Sequence, residues 1–77
     1  MDIGFVLITT APRKEKVVYD ALRTLPAILE VHPIFGEYDF IAKIDKRAVD
    51  KLGKFVAEKI KRIPGVIHTK MLTGTKL

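Results

Sequence analysis

Residues 25–36, LPAILEVHPIFG, and residues 63–74, IPGVIHTKMLTG, follow one pattern: an apolar residue, proline, a small residue, two aliphatics and a closing glycine. Proline pushes the residue before it out of the helical region, so each copy marks the end of a helix and the start of a strand. The residues upstream of each copy agree. From Arg13 to Leu25 the apolar residues Val17, Val18, Ala21, Leu22 and Leu25 recur at helical spacing. From Ala48 to Ile63 the stripe is Val49, Leu52, Phe55, Val56, Ile60 and Ile63, with Lys51, Lys54, Glu58, Lys61 and Arg62 facing water and Asp45 as its N-cap.

Working outward, Ile3 to Thr9 is a β-rich run broken only by Gly4, which suits a central strand covered on both faces. Residues 27–35 form a second strand, with Leu29, Val31 and Phe35 on one side. Its Pro33 has no N–H to give a ladder, which places it at a sheet edge. Tyr38 to Ile44 is the third strand, Phe40, Ala42 and Ile44 alternating with Asp39, Ile41 and Lys43, and Val66 to Thr73 is the fourth. The order βαββαβ, carried by a repeat, gives two right-handed βαβ units with interleaved strands. The expected fold is α+β and ferredoxin-like: a four-stranded antiparallel sheet in the order 4-1-3-2 with both helices on one face.

On this reading Phe5, Leu7, Leu29, Val31, Phe40, Ala42 and Ile67 meet the helices. Val6, Ile8, Ile34, Ile41 and Leu72 are left on the open face, joined by Glu30, His32, Lys43, His68 and Lys70. So much aliphatic surface on so small a domain predicts a homodimer packed sheet to sheet, an isologous interface.

Composition narrows the chemistry. The chain has 77 residues, room for one domain over residues 1–77 that buries about 60% of its unfolded surface. There is no cysteine, which removes disulfides, thiolate nucleophiles and cysteine-based zinc sites. Ser, Asn and Gln are also absent while Lys, Arg and Glu abound, a thermophile-like bias. The net charge of +5 arises from 14 basic residues interleaved with nine acidic ones, the pattern of a solvated surface rather than a nucleic-acid stripe. No basic leader or membrane-length apolar run is present, so the expected location is the cytoplasm. The basic face of the second helix is assigned no role.

In FGEYDF, residues 35–40, the pair Gly36-Glu37 suits a two-residue type II′ turn with glycine at positive φ. Tyr38 and Asp39 are less explained by the turn, since Asp is a poor strand residue. Asp39 has two readings: a cap on local amides, or a ligand contact.

Three motifs in order resemble one family. These are G-x-Y-D after a strand (Gly36, Tyr38, Asp39, then Phe40-Ile41), an upstream LP-x-(I/V) with E-x-H (Leu25, Pro26, Ile28, Glu30, His32), and a downstream I-x-x-I-P-G-V-x-x-T (Ile60, Ile63, Pro64, Gly65, Val66, Thr69). Together they resemble the effector-binding domain of the Lrp/AsnC, or feast/famine, regulators over nearly the whole chain. The resemblance implies sheet-face dimers, rings of dimers, and a free amino acid or similar effector held between subunits, with no cofactor and no metal. Carried over by position, Gly36, Glu37, Tyr38 and Asp39 match the motif turn and Thr69 the threonine after P-G-V. Met71 stands where another threonine is common, and Leu72 and Thr73 are looser candidates. Asp39 is suited to an α-ammonium and the amides around Gly36 to an α-carboxylate.

Ordinary members of that family carry an N-terminal helix-turn-helix, and this sequence starts at the effector domain's first strand. The expectation is therefore a stand-alone domain without direct DNA binding, acting on transcription through effector competition or exchange with full-length relatives. Two other classes compete. A small dimeric α/β-barrel-type enzyme would use His32, His68, Glu37 or Asp39, a poor constellation without a Ser or Cys nucleophile, and no catalytic residue is assigned. An RNA-binding sheet would need surface aromatics in a basic-glycine-aromatic pattern, which YDFIAKI lacks.

Overall fold

The computed structural model describes residues 2–72. The elements are β1 (Ile3–Thr10), α1 (Glu15–Arg23), β2 (Ile28–Pro33), β3 (Phe40–Asp45), a 3-10 turn (Lys46–Ala48), α2 (Leu52–Phe55) running on into a π-helical turn (Val56–Ile60), and β4 (Val66–Leu72). The strands form one antiparallel sheet in the order β2-β3-β1-β4. This is the ferredoxin-like arrangement, with the Pro33 strand at an edge as its missing N–H requires. No helix among the described residues is long and apolar enough to cross a membrane.

The repeat is visible as matched hydrogen bonds. Ile28 N–H donates to Leu25 O at 3.0 Å, and Val66 N–H donates to Ile63 O at 3.1 Å, so each X-Pro step closes a turn that feeds its strand. One residue later each strand carries a bulge, at Leu29 opposite β3 and at Ile67 opposite β1. The bulges turn Leu29 and Ile67 outward, 50% and 62% exposed. Both were expected against the helices, and the extra residue is what alternation could not anticipate.

The core lies between the sheet and the helices. Val6, Ile8, Phe40, Ala42 and Ile44 meet Val18 and Leu22 of α1 and Val56 and Ile60 of the second helix, closed by Ala27 and Ile63. Each of the larger of these contributes on the order of 1.5–3 kcal/mol by burial. The faces of β1 are therefore the reverse of the expectation: Val6 and Ile8 are fully buried, while Phe5 and Leu7 lie on the open side. The cause is Gly4, on the same side as Val6. A Cβ there would lie 2.8 Å from Leu52 Cδ2, so the glycine is the notch that admits the second helix. Across the sheet, Phe5 pairs with Lys43 and Leu72, Leu7 with Ile41 and Lys70, and Thr9 with His68. Ile41, Leu72, Glu30, His32, Lys43, His68 and Lys70 thus occupy the open face as expected. With Ile3 they give that face an apolar centre of Ile3, Phe5, Leu7, Ile41 and Leu72.

The second helix starts later than its periodicity predicts. The Asp45 carboxylate accepts Arg47 N–H at 3.0 Å, capping the 3-10 turn rather than an α-helix. Lys46 N–H still pairs with Asp2 O at 2.7 Å, which holds the chain in the sheet. Val49 and Lys51 are extended, and helical geometry begins only at Leu52. Its second half widens to an i→i+5 bond from Lys61 N–H to Val56 O at 2.8 Å.

Candidate functional site at the β2–β3 loop and β4

The loop after β2 is wider than a two-residue turn. Its last rung is Ile34 N–H to Asp39 O at 2.9 Å, leaving residues 35–38 outside the ladder. Gly36 has φ +119°, the conformation that was expected of it, and no atom lies within 4 Å of the position a Cβ would take. Phe35, expected on one side of β2, is instead 105% exposed and touches no core. Gly36 and Glu37 are thus exposed at the tip of the loop.

The other half of the motif is turned inward. Asp39 N–H donates to Ile8 O at 2.8 Å, extending the β1–β3 pairing one residue ahead of the start of β3. Its Oδ2 accepts Thr10 N–H at 2.7 Å and the Thr10 hydroxyl at 3.1 Å. Through Oδ2, Asp39 makes the cap: it satisfies the last amide of β1 where Ala11 and Pro12 end the strand. Glu37 is tied through its backbone, its carbonyl accepting the Thr9 hydroxyl at 3.2 Å. Tyr38 stacks on His68 of β4, ring centroids 6.2 Å apart and planes 28° apart.

β4 divides the remaining candidates. Thr69 pairs with Ile8 and Met71 with Val6, so both point to the helix side, Met71 toward Gly53 of the second helix. Leu72 lies opposite Phe5 on the open side, and Thr73 falls outside the described residues. The structure therefore gathers Gly36, Glu37 and Tyr38 at one end of the sheet, ties Asp39 Oδ2 to Thr10, and leaves Thr69 and Met71 across the sheet from Leu72. Sequence reasoning missed Thr9, Thr10 and the partnership of His68 with Tyr38. Cross-strand register, which a single sequence does not state, is the signal that finds them.

On the open face, His32 Nε2 lies 2.7 Å from Glu30 Oε1 and Lys43 donates to Glu30 Oε2 at 3.3 Å. These bonds, the histidine's first and the lysine's second, hold the Glu30 carboxyl below its usual range. Arg47 does the same for Asp45. Among the described residues no cluster of three or more His, Asp or Glu side chains is arranged to hold a metal ion.

Comparison with known proteins agrees with this geometry. The sequence model of the family described as "Lrp/AsnC ligand binding domain" matches residues 3–74. An uncharacterized HTH-type transcriptional regulator of Pyrococcus furiosus is 35% identical over 69 residues, covering 86% of this chain and 46% of that protein. A crystal structure from Thermus thermophilus superposes with a TM-score of 0.86 at 28% identity, covering 100% of this chain and 96% of that one. E. coli AsnC superposes with a TM-score of 0.81 at 25% identity, covering 92% of this chain and 49% of that one. The chain spans about half the length of the curated relatives it matches. With its fold, its G-x-Y-D loop and a family match over nearly its whole length, the chain belongs to the Lrp/AsnC family, as a ligand-binding domain of that type.

Proposed function

We propose that this domain binds a free amino acid or a similar small zwitterion at a site completed by a second subunit, and that it modulates transcription through assembly rather than through its own contact with DNA. The observation that carries the reading is the loop: Gly36 and Glu37 are exposed at its tip, and Tyr38 stacks on His68. Such a tip offers donors to an α-carboxylate and a charge to an α-ammonium, and both strengthen when a neighbouring subunit excludes water. Thr69, Met71 and Leu72 remain ligand candidates only if β4 is reached along its free edge. Asp39 contributes by fixing the loop.

The apolar centre of the open face supports a homodimer through that face, with further association into rings, the loops then lying near subunit boundaries. The two helices among the described residues are separated by β2 and β3 and pack on the sheet, so they do not form a helix-turn-helix pair. An influence on transcription then runs through hetero-assembly with full-length relatives or through competition for effector. The location proposed is the cytoplasm.

The test is a thermal-shift screen of the twenty amino acids combined with light scattering. A ligand selective for the native form raises the melting temperature, the stabilisation reaching about 2.7 kcal/mol at a hundred times Kd. A flat screen together with a monomer in dilute solution would remove the proposal. Native mass spectrometry of a mixture with a full-length relative tests the exchange route, which predicts mixed assemblies.

A further inference from the structure

The repeat gives each half of the chain a corner where an X-Pro step turns a helix into a strand, and the two corners are packed differently. At the second copy a Cβ on Gly65 would lie 2.9 Å from Lys14 Cβ and 3.0 Å from Val18 Cγ2, so α1 lies directly on the strand. Ala27 is the matching residue of the first copy. There the second helix is late: Val49 and Lys51 are extended and Leu52 is the first helical residue. The space left is a cleft of about 500 Å³, lined by Ala27 among others and within the roughly 300–1,000 Å³ of small-molecule pockets. Its strand wall is pinned, since Ala27 O accepts Asp45 N–H at 2.8 Å and Ile28 N–H donates to Leu25 O at 3.0 Å.

Leu25, Val49 and Phe55, each half-buried, give the cleft an apolar floor. Lys51, Lys54 and Lys59 stand exposed at its border, and none of them enters an ion pair among the described residues, although Asp50 and Glu58 line the same cleft. One positive charge is left in excess. We propose that this cleft is a second ligand site, for a small monocarboxylate with a branched aliphatic or aromatic body. The body covers Leu25, Val49 and Phe55, and the carboxylate meets Lys51 and Lys54. The site lies at the far end of β2 from the β2–β3 loop, six residues or about 20 Å away, and it does not rest on the effector reading.

The charge balance sets the order of preference. An anion gains from the excess charge, a zwitterion of the same body gains less because it is neutral overall, and a cation of the same shape is repelled. Because the lysines are exposed, the affinity is modest: a Kd of roughly 1 mM for a carboxylate carrying one aromatic ring, rising with ionic strength. Reversing Lys51 and Lys54 together weakens the carboxylate on the order of 10-fold.

The test is a titration of the 15N-labelled 77-residue chain, followed by amide chemical shifts, with three probes that share one body: 3-phenylpropanoate, phenylalanine and phenethylamine. The acid should give saturable shifts confined to residues 25–27 and 48–59, phenylalanine weaker ones there, and the amine none. Binding at the β2–β3 loop and β4 would move other amides, so failure of this site and failure of the effector site are read separately. The double variant Lys51→Glu with Lys54→Glu changes only exposed side chains; it should lose the acid and gain the amine at the same amides. Shifts at these residues that do not saturate, equal affinity for acid and amine, or a response to the acid unaltered by the lysine reversal overturns the proposal.

Discussion

Replacing Asp39 by alanine separates a carboxylate that holds the fold from one that holds a ligand. The side chain accepts two bonds from Thr10, the amide at 2.7 Å and the hydroxyl at 3.1 Å, and Thr10 is only 6% exposed. Alanine leaves a buried donor without a partner, which costs about 1–3 kcal/mol. For a domain of this size each kcal/mol moves the midpoint by about 4–8 °C, so a central cost of about 2 kcal/mol lowers it by about 8–16 °C. Asparagine retains an acceptor but loses the charge, so Asp39→Asn should fall between wild type and alanine. The assay is thermal unfolding followed by circular dichroism, at one protein concentration because association feeds into the apparent midpoint, with guanidinium added to bring all three transitions into range. An unchanged midpoint in Asp39→Ala, accompanied by lost amino-acid binding, would refute the cap and return Asp39 to the ligand.

Two further outcomes follow from the geometry. Gly65→Ala should destabilise the domain well beyond Gly36→Ala, as read by denaturant midpoints: both glycines have positive φ, worth about 1–3 kcal/mol of strain to alanine, but only at Gly65 would the new Cβ lie 2.9 Å from Lys14 Cβ and 3.0 Å from Val18 Cγ2. Stability should also decline as pH falls below the ordinary glutamate value of 4.5. The folded-state pKa of Glu30 is depressed by His32 and Lys43, so its contribution is present above the unfolded value and is lost as pH drops through the folded one. In Glu30→Gln that part of the acid limb should flatten; a pH profile superposing on wild type would show that the bonds to His32 and Lys43 add nothing in solution.

The topology was legible because it rests on signals that are local and strong. Helical stripes, a proline before each returning strand and a repeated motif determine βαββαβ, and Pro33 identifies the edge. The faces of β1 were not legible in the same way. Phe5, Val6, Leu7 and Ile8 are all apolar, so alternation carries no information over the run, and either parity presents a plausible core. The deciding residue was Gly4, which has no side chain to rank on any hydrophobic scale and matters only because Leu52, far along the chain, must occupy its space. The bulges at Leu29 and Ile67 are hidden for a related reason. An extra residue in a ladder is a property of two strands together, and neither strand's own pattern announces it. The late start of the second helix is a competition: the stripe from Val49 onward favours helix, while Asp45 and Lys46 are held by Arg47 and Asp2.

The same distinction governs the site. A resemblance assigns residues by position along the chain, and position along a strand alternates between two sides of a sheet that no amino acid can cross. Thr69 and Met71 belong to the helix side of β4 and Leu72 to the open side, while Tyr38 stacks on His68, near the strand's beginning. A ligand touching both Tyr38 and Thr69 therefore has to sit against the rim of the sheet rather than on a face. β4 is an edge strand, so that rim exists. A rim has a floor but no opposing wall, and a zwitterion left open to water there gains little from any one charge-assisted bond. On the function proposed above, the missing wall comes from another chain, and effector binding is then inseparable from the state of assembly.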